Sequence, residues 1–378
     1  MKELSDILCA AQAASDSGER FALATLVKVQ GSSYRRAGAK MLITESGKSV
    51  GAISGGCLEG DVRQKALFAI QTQRSLLVAY DSMDEDASLG YGLGCHGKIF
   101  VLIESSELAT LQARLQQYQD FLRAPKPTGL ATVYGAEGSL QREVGRFLSL
   151  RENDAPFSNI SSHHLRLMLA HDVAKHLHRQ LAASQRYECS DGAAEVFIDV
   201  LLPPVHFLII GAGYDAVPLA ELAKRLGWQV SVVDRRPSYL SREGFGIADA
   251  RRLLKVGADI ASVVSNPART AAVVMTHNFE LDVEFLFQLL PMHLAYLGVL
   301  GPKRRTEKLL AAIRARGLVP TETMLNKLYA PVGLDIGAEL PEEIALSILA
   351  EIRAVLSGRT GSFLRNRPTP IHSESVHL

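Results

Sequence analysis

The sequence predicts an α/β protein with a Rossmann-like parallel sheet in its C-terminal part and a mixed α+β module at its N-terminus. After Pro203 and Pro204, predicted strands and helices alternate along the chain. The pattern Gly211-x-Gly213-x-x-Ala216 follows one of these strands and opens an amphipathic helix, the context that a dinucleotide-type fold requires. The first hundred residues instead contain short β-rich runs bounded by turn residues.

Four parts are predicted along the 378 residues. They are an N-terminal module at 1–104, a central α+β connecting region at 105–202, the Rossmann-like domain at 203–360 and a tail at 361–378. The N-terminal module begins with an amphipathic helix that ends near Gly18. Its strands are predicted at 21–30, 40–44, 49–53, 76–80 and 99–104, with a helix at 58–70.

The other two structured parts differ in their pattern. In the central region we predict helices at 107–122 and 161–184 and strands at 129–134, 145–150 and 194–202. In the C-terminal part we predict strands at 207–210, 229–233, 273–276 and 294–299 and helices at 216–226, 306–316 and 342–356. This regular alternation indicates a parallel sheet with helices on both faces.

Composition excludes several classes of protein. The chain is 47% hydrophobic and 21% charged, and 41 basic against 40 acidic side chains leave a net charge of +1. This balance gives no electrostatic reason to bind nucleic acid or an anionic membrane. No apolar run approaches the ~18 residues that a membrane span needs. We expect a cytoplasmic protein.

Two cysteines stand in glycine-rich corners. Cys57 follows Gly55 and Gly56 in SGGCLEG, just before a predicted helix whose positive end favours a thiolate. Cys95 lies in GLGCHG, beside His96. Glycine next to a cysteine leaves the sulfur uncovered, so both thiols are candidate ligand contacts. Two tight turns that happen to contain cysteine are the alternative interpretation.

A third motif, GSSYRRAG, follows the first predicted strand. Ser32, Ser33, Arg35 and Arg36 supply hydroxyl and guanidinium donors that suit a phosphate group. An exposed hairpin with solvated arginines is the alternative.

The Rossmann-like part has its own candidate residues. Gly211 permits the tight turn, Gly213 allows a diphosphate to approach the backbone, and Asp234 follows Gly211 by 23 positions. If a dinucleotide binds, Asp234 favours NAD over NADP. Asp215 lies at the start of the helix, where its charge would compete with a diphosphate, so NAD is the less favoured cofactor.

Two further strand ends carry polar groups. His277 follows AVVMT, and Arg304 lies in the basic run of LGVLGPKRR. Ligands of open parallel sheets bind outside the carboxyl ends of the strands. An anionic ligand such as a phosphate ester is therefore expected, although a buried histidine and a solvated helix start would explain the same residues.

The motifs together resemble the XdhC/CoxI family of xanthine dehydrogenase accessory proteins, over about residues 5–360. The segments that carry the resemblance are GSSYRRAGAKMLI, VGAISGGCLEGDV, GLGCHGKIFVLIE, GAGYDAVPLA, AVVMTHNFELD, YLGVLGPKRR and PVGLDIGAELPEEIALSILAEI. Tyr214 and His96 depart from the family pattern, where histidine and glycine are common.

The resemblance implies a protein that binds molybdenum cofactor and assists its sulfuration and insertion, without turning over xanthine itself. Cys57 and Cys95 would contact the molybdenum end, and the arginines and the Rossmann edge the phosphate or dinucleotide end. Expected partners are xanthine dehydrogenase or a similar molybdenum hydroxylase, a cysteine desulfurase and a second copy of the chain. An NAD-dependent oxidoreductase and a sulfur transferase using Cys57 or Cys95 are the alternatives.

Overall fold

The computed structural model describes residues 2–81, 97–255, 257–369 and 371. Contacts between Cα atoms divide them into two compact units. The first unit contains the chain up to Pro203 and the described residues from Arg367 onward, and the second unit runs from Pro204 to Asn366. In the described ranges no helix is both long and apolar enough to cross a bilayer.

The first unit begins with a five-stranded antiparallel sheet in the order β3-β2-β1-β5-β4. Its strands are β1 (Phe21–Gly31), β2 (Lys40–Thr44), β3 (Ser49–Gly51), β4 (Leu76–Asp81) and β5 (Gly97–Ser105), with helices α1 (Lys2–Asp16) and α2 (Glu59–Thr72). Side chains of β1 alternate between two faces. Ala22, Ala24 and Leu26 face the core with α2, whereas Phe21 and Leu23 share a core with α1. Both faces of this sheet are therefore covered.

The same unit contains a second antiparallel sheet in the order β8-β7-β6-β10-β9. Its strands are β6 (Thr128–Ala136), β7 (Phe147–Arg151), β8 (Phe157–Ser158), β9 (Ala183–Cys189) and β10 (Gly192–Leu201), with helices α3 (Ala109–Arg123) and α4 (His163–Arg179). The helix predicted at 161–184 was too long. Gln180 adopts a left-handed φ of 55° and closes α4 by donating its N–H to the last turn. The next residues then pair with β10 as a strand.

Two ion pairs are buried in the first unit. Nζ of Lys40 on β2 lies 2.7 Å from Oδ2 of Asp199 on β10, so this pair joins the two sheets. Arg114 on α3 contacts Glu104 on β5, and both side chains are at most 2% exposed. Burial lowers the pKa of Lys40, but the attraction and hydrogen bond of Asp199 together with the attraction of Tyr118 outweigh burial and raise the pKa above its ordinary value. Lys40 therefore stays charged inside the protein.

The second unit is a six-stranded parallel sheet in the order β13-β12-β11-β14-β15-β16, which confirms the predicted Rossmann-like fold. The strands are β11 (His206–Ile210), β12 (Gln229–Asp234), β13 (Ala250–Leu253), β14 (Thr270–Val274), β15 (Tyr296–Val299) and β16 (Leu328–Tyr329). The helices are α5 (Ala216–Arg225), α6 (Pro237–Leu240), α7 (Phe279–Leu289), α8 (Lys303–Ala315), α9 (Glu322–Leu325) and α10 (Pro341–Leu356). Helix α7 and strands β13 and β16 were absent from the prediction.

Helices cover the two faces of the parallel sheet. Helices α5 and α10 pack with Phe207 and Ile209, and α7 and α8 pack with Leu208 and Ile210. The chain builds the sheet outward from β11 in one direction through β12 and β13, and then in the other direction through β14, β15 and β16. The direction therefore changes between β11 and β14. Ligands of such sheets bind outside the carboxyl ends of the strands at that position, so the residues after β11, β12 and β14 are the relevant ones.

The Lys40–Asp199 pair leads to a stability prediction. Asp199→Ala leaves a buried, unpaired ammonium group, and we expect the free energy of unfolding to fall by about 3–5 kcal/mol. Asp6→Ala is the matched control, because it removes a carboxylate from an exposed ion pair with Lys2, which should cost less than about 1 kcal/mol. Urea denaturation followed by circular dichroism measures both. Equal losses in the two variants would contradict a structural role for the buried pair.

Candidate functional site

Two of the glycine-rich motifs of the first unit meet at one end of its first sheet. Strand β1 ends at Gly31, which pairs with Gly97, the first residue of β5. Strand β3 ends at Gly51 near the start of β2. The loop after β1 and the corner that contains Cys57 therefore leave the sheet at the same end. The last glycine of GLGCHG lies there too.

The pairing at this end requires glycine. A Cβ atom at Gly97 would lie 2.3 Å from the carbonyl oxygen of Ser32 and 2.8 Å from that of Gln30. No side chain fits at such a distance, so this backbone contact is possible only for glycine. Cys95 and His96, the other polar residues of that motif, lie outside the described residues.

Hydrogen bonds fix the corner that carries Cys57. The N–H and hydroxyl of Ser54 donate to the two carboxylate oxygens of Glu59, at 2.8 and 2.6 Å, and the Ser54 hydroxyl accepts from the N–H of Leu58. Burial raises the pKa of Glu59, but these hydrogen bonds outweigh it and hold the pKa below its ordinary value. The corner is thus a rigid start to α2, and Cys57 is exposed on it.

An aromatic ring from the GSSYRRAG loop lies on the same corner. Three ring carbons of Tyr34 are 3.5 Å from the position that a Cβ atom at Gly55 would occupy. Tyr34 is nevertheless 66% exposed. The structure therefore brings the loop and the cysteine corner together, and it adds Tyr34 to the residues that the sequence had indicated. At Gly56 a Cβ atom would meet nothing within 4 Å, so space lies open beside Cys57.

The polar groups of the loop differ in how they are engaged. Nη2 of Arg35 lies 2.6 Å from Oε2 of Glu3 on α1, and the hydroxyl of Ser33 donates to the carbonyl of Arg35. Ser32 and Arg36 are exposed. Arg35 could contact a phosphate only in competition with Glu3.

The other two described thiols lie on regular secondary structure. Cys9 is exposed on α1 and Cys189 is half-buried at the end of β9. Among the described residues, no group of three or more histidine, cysteine, aspartate or glutamate side chains is arranged to hold a metal ion. A metal at Cys57 would therefore bring most of its own ligands.

In the second unit the glycine loop after β11 runs very close to the end of β14. A Cβ atom at Gly211 would lie 2.4 Å from the carbonyl oxygen of Met275, and Gly211 has a φ of +115°. Only glycine fits both conditions. The next residue, Ala212, donates its N–H to Oδ2 of Asp234 at the end of β12. The loop is thus fixed by one close contact and one charge-assisted hydrogen bond.

Asp234 is fully engaged within the protein. Besides the N–H of Ala212 at 2.7 Å, it accepts the backbone N–H, Nε–H and Nη2–H of Arg236 at 2.8, 2.9 and 2.8 Å. A carboxylate offers about four acceptor positions, so none is left for ribose hydroxyl groups. Burial raises the pKa of Asp234, but Arg236 and the backbone donors outweigh it and keep the pKa below its usual range.

A second carboxylate lies over the loop. A Cβ atom at Gly213 would be 2.4 Å from Oδ1 of Asp215, so the Asp215 side chain rests on the glycine where a diphosphate would approach. Its Oδ2 is 2.9 Å from Nε2 of His277. Because a carboxylate only accepts, Nε2 carries the proton of this hydrogen bond. His277 has a left-handed φ of 58° and is 59% exposed.

The residues on both sides of His277 explain how this backbone conformation persists. Asn278 caps α7 by accepting the N–H of Leu281, and the hydroxyl of Thr276 lies 2.5 Å from Oδ1 of Asp282. Oδ2 of Asp282 binds Arg305 at 2.7 Å. Flanking hydrogen bonds of this kind are what maintain a strained residue.

The basic run after β15 is therefore divided. Arg305 is tied to Asp282 in the interior, whereas Lys303 and Arg304 are exposed at the start of α8. Arg304 makes no ion pair with the described residues. Of the cations in this run, Lys303 and Arg304 are the ones available to an anion.

A stack of cationic and aromatic side chains borders the glycine loop. The guanidinium carbons of Arg236 and Arg242 lie 3.5 and 4.0 Å from the ring centroid of Tyr239. Two groups that close to one centroid would overlap on a single face, so they lie on opposite faces. Arg242 also donates to the carbonyl of Ala212. Sequence reasoning missed this stack, although the spacing Arg236-x-x-Tyr239-x-x-Arg242 could have indicated it.

Comparisons with known proteins cover nearly the whole chain. The family model described as "XdhC and CoxI family" matches residues 14–81, and that described as "XdhC Rossmann domain" matches residues 207–352. A Bacillus subtilis (strain 168) protein that is named as a probable subunit of xanthine dehydrogenase is 35% identical over 344 residues, which is 88% of this chain and 92% of that protein.

Two further proteins are similar. The Escherichia coli (strain K12) protein named "Molybdenum cofactor insertion chaperone PaoD" is 23% identical over 90% of this chain and 84% of its own length. A crystal structure of a Bacillus halodurans protein, described as a xanthine dehydrogenase, superposes with a TM-score of 0.74 at 31% identity, covering 96% of this chain and 98% of that one. The chain therefore belongs to the XdhC and CoxI family, as its motifs predicted.

Proposed function

We propose that the protein binds molybdenum cofactor and assists its sulfuration and insertion into xanthine dehydrogenase or a related molybdenum hydroxylase. The observation that carries this proposal is the similarity over nine-tenths of the chain to a protein named as a molybdenum cofactor insertion chaperone. The Bacillus subtilis relative named after xanthine dehydrogenase supports the same class of partner. The protein would act as a carrier in the cytoplasm.

The first unit offers groups that fit the molybdenum end of such a cofactor. The thiol of Cys57 is exposed on a rigid corner, with open space beside Gly56. Thiolate sulfur is a soft ligand that suits a metal already bound by sulfur. One face of the exposed Tyr34 ring lies against Gly55, which leaves the other face for a flat ring such as a pterin. Cys95 remains a candidate in the same role.

The sequence left two other functions open. A sulfur transferase would use the same exposed Cys57 as a persulfide carrier, with a cysteine desulfurase as its partner. An NAD-dependent oxidoreductase receives no support from Asp234, whose acceptor positions are all engaged by Arg236 and Ala212. A homodimer remains a prediction, and the exposed Leu346 on α10 is a candidate contact.

We predict that Cys57→Ser lowers the molybdenum cofactor retained by the purified protein by about tenfold, because serine is a harder and far less acidic ligand. The measurement is the pterin released per protein chain after purification from molybdenum-replete cells. Cys9→Ser is the matched control, since Cys9 is also exposed but lies on α1 without glycine neighbours.

Circular dichroism of both cysteine variants checks that the fold is unchanged. Equal retention by Cys57→Ser, Cys9→Ser and the unchanged protein would remove the thiol from the proposal. After incubation with a cysteine desulfurase, a mass increase of one sulfur atom on Cys57 would indicate that this residue carries sulfur itself.

The arginines of the GSSYRRAG loop lead to a second prediction. Replacing both Arg35 and Arg36 by alanine should weaken cofactor binding by roughly 1.5–3 kcal/mol, the worth of one charge-assisted hydrogen bond. Glu3→Gln should have the opposite effect, because it removes the carboxylate that now pairs with Arg35. Arg63→Ala on α2, an exposed arginine of the same unit, is the control. Binding that is indifferent to all three changes would assign the loop to structure.

In the second unit we propose that Gly211, Gly213, His277 and Arg304 border a site for an anionic group of the ligand. Exposed Arg304 supplies positive charge, and the glycine loop supplies backbone N–H groups at the start of α5. The Asp215 carboxylate opposes this, since it lies on Gly213. Its Oδ2 already accepts a hydrogen bond from His277.

Asp215→Asn should therefore increase the affinity for inorganic pyrophosphate. Removing a carboxylate about 4 Å from the bound anion is worth about 1 kcal/mol or more, even at the dielectric constant of water. Isothermal titration calorimetry measures the change. Glu221→Gln, which neutralises an exposed acid on the same helix, serves as the control. Unchanged or weaker binding by Asp215→Asn would show that the glycine loop is not where the anion binds.

A further inference from the structure

In a dinucleotide-type sheet, the ribose of the ligand is normally recognised at the end of the strand that corresponds to β12. In such folds an acidic residue accepts hydrogen bonds from the ribose hydroxyl groups, whereas a nearby arginine accommodates a phosphate there. Here the acidic residue, Asp234, has only 3% of its side chain exposed, and all of its acceptor positions are engaged. An uncharged diol would find no acceptor at this carboxylate.

Arginine side chains, in contrast, are exposed or half-exposed at the end of β12 and in the segment that follows it. We call this surface, formed by Arg235, Arg236 and Arg242, the rim. Arg236 is 39% exposed although it binds Asp234 through Nε and Nη2, and Arg242 donates through Nη1 to the carbonyl of Ala212. A guanidinium has several N–H donors in a planar fork, so both keep donors for a further partner. The stack on Tyr239 holds the two side chains in place.

The charge at this rim is positive. Arg235 is exposed and makes no ion pair with any described residue. Arg235 follows Asp234 directly in the chain, Arg236 binds Asp234, and Arg242 donates to the carbonyl of Ala212, whose N–H Asp234 accepts, so three arginines belong to this end of β12. Glu243, the next acidic residue along the chain, makes no ion pair with them in the described part of the chain. A rim of this composition attracts a doubly charged anion more strongly than a neutral or singly charged group.

We infer that the rim formed by Arg235, Arg236 and Arg242 is a specificity site for a phosphate monoester, and that it excludes an unmodified ribose diol. Planar guanidinium forks match the oxygens of a phosphate, and fixed arginines lose little conformational freedom when they bind one. The inference rests on the proposed function only in assuming that this unit binds a phosphorylated ligand. The phosphate could belong to a nucleotide or to a phosphorylated pterin, and the recognition would be the same.

The test compares two probes that differ by one phosphate monoester. NADP⁺ carries that group on a ribose, and NAD⁺ has the free diol at the same position. With the full-length protein, isothermal titration calorimetry should give an affinity for NADP⁺ that is at least about tenfold higher than for NAD⁺. Binding of NAD⁺ that is equal or tighter would overturn the inference, and so would the absence of binding by NADP⁺ at millimolar concentration.

Variants locate the effect. Arg235→Ala should reduce the affinity for NADP⁺ about tenfold and leave that for NAD⁺ unchanged. Arg225→Ala at the end of α5 is the control, because it removes an exposed arginine of the same unit away from the rim. Arg242→Lys keeps the charge but loses the fork and part of the stack, so we expect a smaller decrease than for alanine. Equal effects of Arg235→Ala and Arg225→Ala would reduce the preference to net charge and overturn the site.

A failure of this inference can be distinguished from a failure of the proposed function. Loss of cofactor retention is measured on Cys57→Ser in the first unit, whereas the nucleotide comparison uses only the rim of the second unit. A phosphorylated pterin that competes with NADP⁺ for the rim would identify the pterin as the source of the phosphate. A pterin that does not compete would leave a nucleotide as the source.

Discussion

Both candidate sites depend on backbone segments that approach too closely to leave room for a Cβ atom. At the end of the first sheet, Gly97 lies against the carbonyl of Ser32, and in the parallel sheet Gly211 lies against the carbonyl of Met275. Any other residue would push these segments apart, since real Cβ atoms are not found at 2.3–2.4 Å from an oxygen. The first contact fixes the start of the GSSYRRAG loop, whose Tyr34 lies on the cysteine corner, and the second places the glycine loop at the end of β14.

Near these close contacts, acidic side chains are bound by neighbouring donors. Glu59 is bound by Ser54, Glu3 by Arg35, and Asp234 by Arg236. Each carboxylate is engaged by donors of its own unit and helps to fix a loop or a helix start. The groups left exposed are of a different kind, namely a thiol, an aromatic ring and several guanidinium groups. Apart from Asp215 on Gly213, the groups exposed at the two candidate sites are therefore a thiol, an aromatic ring and cations.

The sequence predicted the parallel sheet well, because the strands of a doubly wound sheet are buried on both faces and its glycine loop has a fixed context. It failed at β9, which was not predicted, and the predicted helix extended to residue 184 into the start of this strand. Those residues form a strand because β10 offers a pairing edge, and pairing partners are not encoded locally. Local spacing also gave no indication that Arg236 would donate three hydrogen bonds to the carboxylate of Asp234, since this depends on the path of the loop after β12.

The site residues also divide into those that local sequence patterns indicate and those that depend on tertiary contacts. The positions of Gly211 and Asp234 followed from the dinucleotide pattern, and the exposure of Cys57 followed from its glycine neighbours. The contact between Tyr34 and Gly55 joins residues about twenty positions apart, so it could be found only once the strand register was known. The position of Asp215 at the helix start indicated that its charge would compete with a diphosphate. Its hydrogen bond with His277 was not predicted, because His277 follows a different strand.

The fingerprint of a dinucleotide site is thus retained here, but its acidic residue is engaged within the protein. Asp234 holds the glycine loop through Ala212 and keeps Arg236 at the rim, so the acidic residue serves the architecture of the loop. Asp215 places a second negative charge over Gly213, which weakens any diphosphate bound there. For a protein proposed to deliver what it binds, moderate affinity is an advantage, because differences in affinity are expressed mainly in the rate of release. The proposed rim would select a phosphate by charge beside a loop whose Asp215 disfavours a second one, and this arrangement would combine selection with ready release.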